Sequence, residues 1–134
     1  MRLALVLLVA TSVAPAIASD GDRDCYKATT QVELTACAGR ELDAADARLN
    51  ATYREALVLA READAEGSRG SAVPIVSLLR DAQRAWVPFR DRACDFEATS
   101  WGGGTGQSMA YLQCKTRLTL ARTQDLRTYI DFPN

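Results

Sequence analysis

Residues 74–96, PIVSLLRDAQRAWVPFRDRACDF, decide how this chain folds. Ile75, Leu79, Ala82, Trp86, Phe89, Ala93 and Phe96 recur at alternating steps of four and three. That spacing lays one apolar stripe along a helix, the pattern of a bundle. Pro74 suits the first turn, where a missing N–H costs nothing. Pro88 sits inside the run, removes one donor and predicts a kink near Arg84. On this reading Trp86 and Phe89 belong to the core.

The flanking stretches repeat the theme. Upstream, Thr29-Thr30-Gln31-Val32-Glu33 is a helix start, with a Thr cap and acidic or amide residues in the first turn. Leu42, Ala45, Leu49, Tyr53, Ala56, Ala60 and Ala63 then recur at helical steps, opposite a charged face. This helix runs to about Ala65 and is long enough that a bend or split near Ala44 is expected. Residues 66–72, EGSRGSA, form a loop. Downstream, Trp101-Gly102-Gly103-Gly104-Thr105-Gly106 is a second loop. A third helix follows from Ser108 to about Ile130, with Met109, Leu112, Leu118, Leu120, Leu126 and Ile130 as its stripe. The expected fold is all-α. It is an antiparallel bundle of three helices, or four if the first is split.

The amino terminus bears on where such a bundle works. Arg2, the apolar run Leu3–Ala10 and the Ala16-Ile17-Ala18 site read as a secretory signal peptide over residues 1–18. The mature domain is then 19–134. The apolar run is too short to span a bilayer, and no cysteine at the cleavage site indicates a lipid anchor. A periplasmic or secreted location follows. The four cysteines, Cys25, Cys37, Cys94 and Cys114, then read as two disulfides. In an antiparallel bundle all four fall at one end. Neighbours in sequence, Cys25–Cys37 and Cys94–Cys114, are the first choice. Cys25–Cys114 with Cys37–Cys94 stays open.

Composition excludes several functions. There is no histidine, so imidazole-assisted nucleophiles and imidazole metal sites are out. No close cysteine pair offers a zinc site. The net charge of −1, or −2 once Arg2 leaves with the signal, gives no footprint for nucleic acid. The glycine loop follows a helix and lacks the Lys-Ser/Thr of a phosphate loop. Asp95 and Glu97 form a carboxylate pair, but a bundle this size offers little room for a sugar cleft. No enzyme, cofactor or metal is expected.

Three segments together resemble the LprI-type lysozyme inhibitor family. They are Thr30-Gln31-Val32-Glu33-Leu34-Thr35-Ala36-Cys37-Ala38, then Asp46-Ala47-Arg48-Leu49-Asn50-Ala51-Thr52-Tyr53, then Leu79-Arg80-Asp81-Ala82-Gln83-Arg84-Ala85-Trp86-Val87-Pro88-Phe89-Arg90-Asp91-Arg92-Ala93-Cys94. The resemblance continues through the glycine loop and Cys114-Lys115-Thr116-Arg117-Leu118 to Arg122-Thr123-Gln124-Asp125-Leu126, covering 25–127. It implies a small exported helical module that binds and inhibits lysozyme.

Beside the resemblance stand two readings of the residues. Asp46 and Arg90 are placed to pair across neighbouring helices, and Asn50 and Gln83 to bridge helices by hydrogen bonds, with Leu49 on the stripe. Such contacts fix register more than they add stability. For a partner surface, Trp101 with Gly102, Gly103 and Gly104 combines an aromatic with backbone freedom at a bundle end. The charged faces around Arg84 and Asp91 are the alternative. The leading function is inhibition of a muramidase by occluding its cleft. The other reading is a non-enzymatic structural or interaction module of the bacterial envelope.

Overall fold

The computed structural model describes residues 25–132; residues 1–24, which include the segment read as a signal peptide, and residues 133–134 lie outside the described residues. Three helices are joined by two short connections: α1 (Gln31–Ala65), α2 (Ile75–Ala98) and α3 (Gln107–Asp131). Among the described residues there is no strand.

Each helix begins where local chemistry starts it. Thr30 caps α1: its Oγ1 accepts the Glu33 N–H at 3.3 Å. The Glu33 carboxylate accepts the N–H groups of Thr30 and Thr29, both at 3.0 Å. This closes a capping box. Those backbone hydrogen bonds, first from Thr30, hold the Glu33 carboxyl below its ordinary pKa. α1 then runs as one helix with no split at Ala44, because neither Gly nor Pro interrupts 40–65 and its buried face lies along α3.

Pro74 at the start of α2 has no side chain to cap it. Asp64, in the last turn of α1, does that job from outside. Its carboxylate accepts the N–H of Ile75 at 2.7 Å and of Val76 at 3.0 Å. Ser68 Oγ donates to the same carboxylate at 2.8 Å. This anchors a connection in which Ser68 and Arg69 both hold positive φ, 53° and 49°. A side chain rarely tolerates that conformation unless its surroundings impose it. α2 stays helical through Pro88, which leaves the Arg84 carbonyl without its usual donor but does not end the helix.

The core lies chiefly between α1 and α3. Ala38, Leu42, Ala45, Leu49, Ala56, Ala60 and Ala63 are buried along α1, so this stripe points inward. Thr52 is buried in the position next to Tyr53, which is half-buried. Small residues let the two helices approach closely. Leu49, Ala56 and Leu126 form the central cluster, with Leu79, Trp86, Tyr129 and Ile130 packed against it. On α3 the buried line is Cys114, Thr119 and Leu126, so Leu120 faces outward.

The α2 stripe is the main departure from expectation. Trp86 and Leu79 do pack on the core. Phe89 is 62% exposed, however, Phe96 is 80% exposed and Ala82 is exposed. The buried residues of α2 are Arg90, Cys94 and Ala98. At about 100° per residue, the helix is turned roughly a quarter of a revolution from where its apolar stripe alone would put it.

Cys25–Cys37 and Cys94–Cys114 form the two disulfides, and no described cysteine is free. The open alternative pairing is thereby excluded. The second bridge ties the end of α2 to the start of α3; the first ties the lead-in turn to α1.

Candidate functional site

Two places merit description as sites: a polar node between the helices, and the loop at the cysteine end.

The node is built by the rotation of α2. Arg90 Nη1 donates to Asp46 of α1 at 2.9 Å and to Thr119 Oγ1 of α3 at 3.0 Å. Its Nε donates to the neighbouring Asp91 at 2.9 Å. Thr119 Oγ1 donates in turn to Asp46 at 3.4 Å. Lys115 Nζ lies 3.2 Å from the Asp91 carboxylate, and the Arg90 guanidinium stands 5.2 Å from the centroid of the Trp86 ring. One cation therefore joins all three helices. Burial pushes the Asp91 carboxyl up, but hydrogen bonds and charge from Arg90 and Lys115 outweigh it and hold the group below its ordinary pKa. The Arg90 side chain is 9% exposed, whereas Asp46 and Asp91 keep more than a third of their side chains in water. Nothing here is arranged as nucleophile and base; the node ties the three helices to one another.

The other residues of the family motif divide. Leu49 is core. Gln83 Oε1 accepts the Arg122 Nε–H at 3.1 Å, linking α2 to α3. Asn50 is exposed and makes no interhelical hydrogen bond among the described residues, which corrects the bridging role expected of it. Arg84 is exposed and paired within its own helix to Asp81.

The Trp101 loop is more ordered than its glycine content suggests. Thr99–Trp101 is a 3₁₀ turn that extends α2. Gly102 and Gly103 take positive φ, 59° and 78°, which reverses the chain toward α3. The Gly104 N–H donates to the Trp101 carbonyl, and the Gln107 N–H to the Gly104 carbonyl, both at 3.0 Å. The indole lies over Gly106, so closely that a Cβ there would sit 2.7 Å from its ring carbons. Trp101 nonetheless remains 51% exposed. The ring is thus steadied on one side and open on the other, beside an open depression lined by Asp95, Gly103, Gln107 and Tyr111.

A further feature had escaped the sequence reading. A groove of about 630 Å³ runs between α1 and α3 beside the Cys25–Cys37 bridge, bordered by Tyr26, Arg40, Glu41, Arg48, Thr116 and Leu120. Arg40 Nη2 reaches both sulfurs, at 2.8 and 3.1 Å. In sequence, Arg40 and Arg48 read only as part of a charged outer face. Among the described residues no group of three or more His, Cys, Asp or Glu side chains could hold a metal ion. No helix there is long and apolar enough to cross a membrane.

Comparison with known proteins gives this geometry a setting. An uncharacterized protein of Rhizobium meliloti (strain 1021), R02472, is 36% identical over 130 residues, which cover 96% of this chain and 93% of the relative. Uncharacterized protein YecT of Escherichia coli (strain K12) is 26% identical over 116 residues, 80% of this chain and 72% of that protein. No solved structure matches the chain. The profile of the family described as "Lysozyme inhibitor LprI" matches residues 23–126, most of the chain and all three helices up to Leu126. The chain belongs to the lysozyme inhibitor LprI family.

Proposed function

We propose that this protein is an exported, non-enzymatic inhibitor that binds a lysozyme-type muramidase and occludes its cleft with the Trp101–Gly104 loop. The observation that carries the reading is family membership over residues 23–126. Two disulfides suit an oxidising compartment, in keeping with a mature domain of 19–134 working in the periplasm or outside the cell.

The loop supports the choice of contact. A half-exposed indole with a fixed rear face offers a large apolar surface at low entropic cost on binding. The Cys94–Cys114 bridge clamps the two helices from which the loop springs, so little further ordering is needed. Lysozymes of the animal type are basic, and a mildly acidic partner gains electrostatic steering toward them.

A lysozyme inhibition assay on the oxidised protein tests this reading. Trp101→Ala should abolish inhibition and leave the helical spectrum unchanged, because the residue lies outside the three α-helices and half of it is exposed. Inhibition that survives this substitution moves the contact to the charged faces around Arg84 and Asp91. No inhibition by the unaltered protein leaves the envelope interaction module as the function.

A further inference from the structure

The rotation of α2 leaves an apolar face without a partner. Leu78, Ala82, Ala85, Phe89 and Phe96 lie along one arc of the helix at steps of four, three, four and seven, and all are exposed. Phe89 and Phe96 are among the most exposed large apolar side chains in the described residues. Exposed apolar side chains aligned on one helix face are the kind of surface that interacts with another chain.

Four of the five residues along this arc pair among themselves when the helix is laid against a reversed copy. Centred on Val87, Leu78 meets Phe96 of the other helix and Ala85 meets its Phe89; Ala82 lies beside Arg92, half a residue from the register in which Asp81 meets Arg92. Large side chains thus face smaller ones in both directions, as close packing requires. The charges on one flank also match. Asp81 and Arg92 lie within about 20° of each other around the helix, at about 100° per residue. In a two-fold antiparallel pair the same flank of each copy meets, so Asp81 of one faces Arg92 of the other, twice. Within the single chain these side chains have only weak exposed partners, Arg84 and Asp95. Exposed pairs of that kind contribute little and exchange readily.

We infer that the exposed α2 face is a self-association surface, through which two copies of this chain pair antiparallel, α2 against α2. The contact is isologous and built from Phe89, Phe96 and Leu78, with reciprocal Asp81–Arg92 pairs fixing its register. One helix face is a small area by the standard of stable interfaces, so the dimer forms reversibly as concentration rises. This inference does not depend on the lysozyme reading, and its test contains no lysozyme.

Sedimentation velocity over a concentration series of the mature, oxidised protein reads the association. The expected result is a shift from monomer to twice that mass as concentration increases. Phe89→Glu with Phe96→Glu should stay monomeric throughout, with an unchanged helical spectrum because both residues are exposed. Asp81→Arg alone and Arg92→Asp alone should each be monomeric, since each places like charges opposite one another in both pairs. Mixing those two variants should restore the dimer, because every facing pair is then opposite in sign. A wild-type chain monomeric at every concentration overturns the inference. So does a dimer that survives the double Phe substitution, or a mixture that fails to associate.

Discussion

The α1–α3 pair and α2 solve the same packing problem in opposite ways. α1 and α3 are the most closely associated helices of the bundle, and α1 buries the face its hydrophobic periodicity designates. Its stripe is mostly alanine, modest in size but aligned with its neighbours. α2 carries the larger side chains and the stronger amphipathic pattern, yet buries a guanidinium, a cysteine and an alanine and turns two phenylalanines to water. Strength of amphipathic pattern therefore does not fix which way a helix faces. α2 is held by directional contacts at three heights. These are the Asp64 cap at its start, the Arg90 node in its middle and the Cys94–Cys114 bridge near its end. Contacts with defined geometry set the azimuth, and the apolar arc goes where they leave it.

If that account is right, the largest loss should come from removing the middle contact. Arg90→Ala strips Asp46, Asp91 and Thr119 of their shared donor and Trp86 of its cation. Breaking one side of a buried pair costs about 3–5 kcal/mol, and the partial exposure of Asp46 and Asp91 places this case near 3. Urea unfolding measures it; a loss under 1 kcal/mol would mean that packing alone sets the rotation. Opening the end contact with paired Cys94→Ser and Cys114→Ser should cost roughly 3 kcal/mol in the chain-entropy model. The same denaturation curve, on non-reduced protein, tests that value.

The sharpest contrast lies within α2 itself. Trp86→Ala should cost about 2–3 kcal/mol, somewhat below a full aromatic truncation because the ring is only half-buried. Phe89→Ala, one turn away on the same expected stripe, should stay within about 0.5 kcal/mol of wild type. Equal losses at the two positions would erase the distinction between the two faces. The smallest effect concerns acid. Asp64 is held below its ordinary pKa, first by the Val76 N–H, with that of Ile75 and the Ser68 hydroxyl assisting against desolvation, and Asp91 is held low by Arg90 and Lys115. A depressed folded pKa means stability present in full above the unfolded value, near pH 4, and lost as pH falls through the folded values. Thermal melts from pH 5 downward should show a steeper decline for wild type than for Asp64→Asn. Parallel curves would remove Asp64 from the list of contacts that hold α2.

Much of the bundle was legible because it is local. Thr30 with Glu33 marks the start of α1, Pro74 the start of α2, and the two glycine-bearing segments the turns, since caps and turns depend on residues a few positions apart. The cysteines were legible as two bridges at one end, because an antiparallel arrangement puts the start of α1, the end of α2 and the start of α3 side by side. The Asp46–Arg90 contact could be placed from complementary charge on helices bound to be neighbours. The loop at Trp101 was visible as an aromatic beside glycines, but its indole settling over Gly106 was not, because that depends on how α3 departs from the loop.

The class of fold, the helical stretches, the loops between them and the family resemblance are written in the sequence alone. Each rests on periodicity, capping and motifs carried within short stretches of chain. Which cysteines pair, which way α2 faces, and therefore that Arg90 is buried while Phe89 and Phe96 are not, only the tertiary structure decided. The physical reason is that a helix can turn about its own axis without changing any of its internal hydrogen bonds. Its azimuth is settled by contacts from Asp46, Asp64, Cys114 and Thr119, which lie 11 to 44 residues away along the chain.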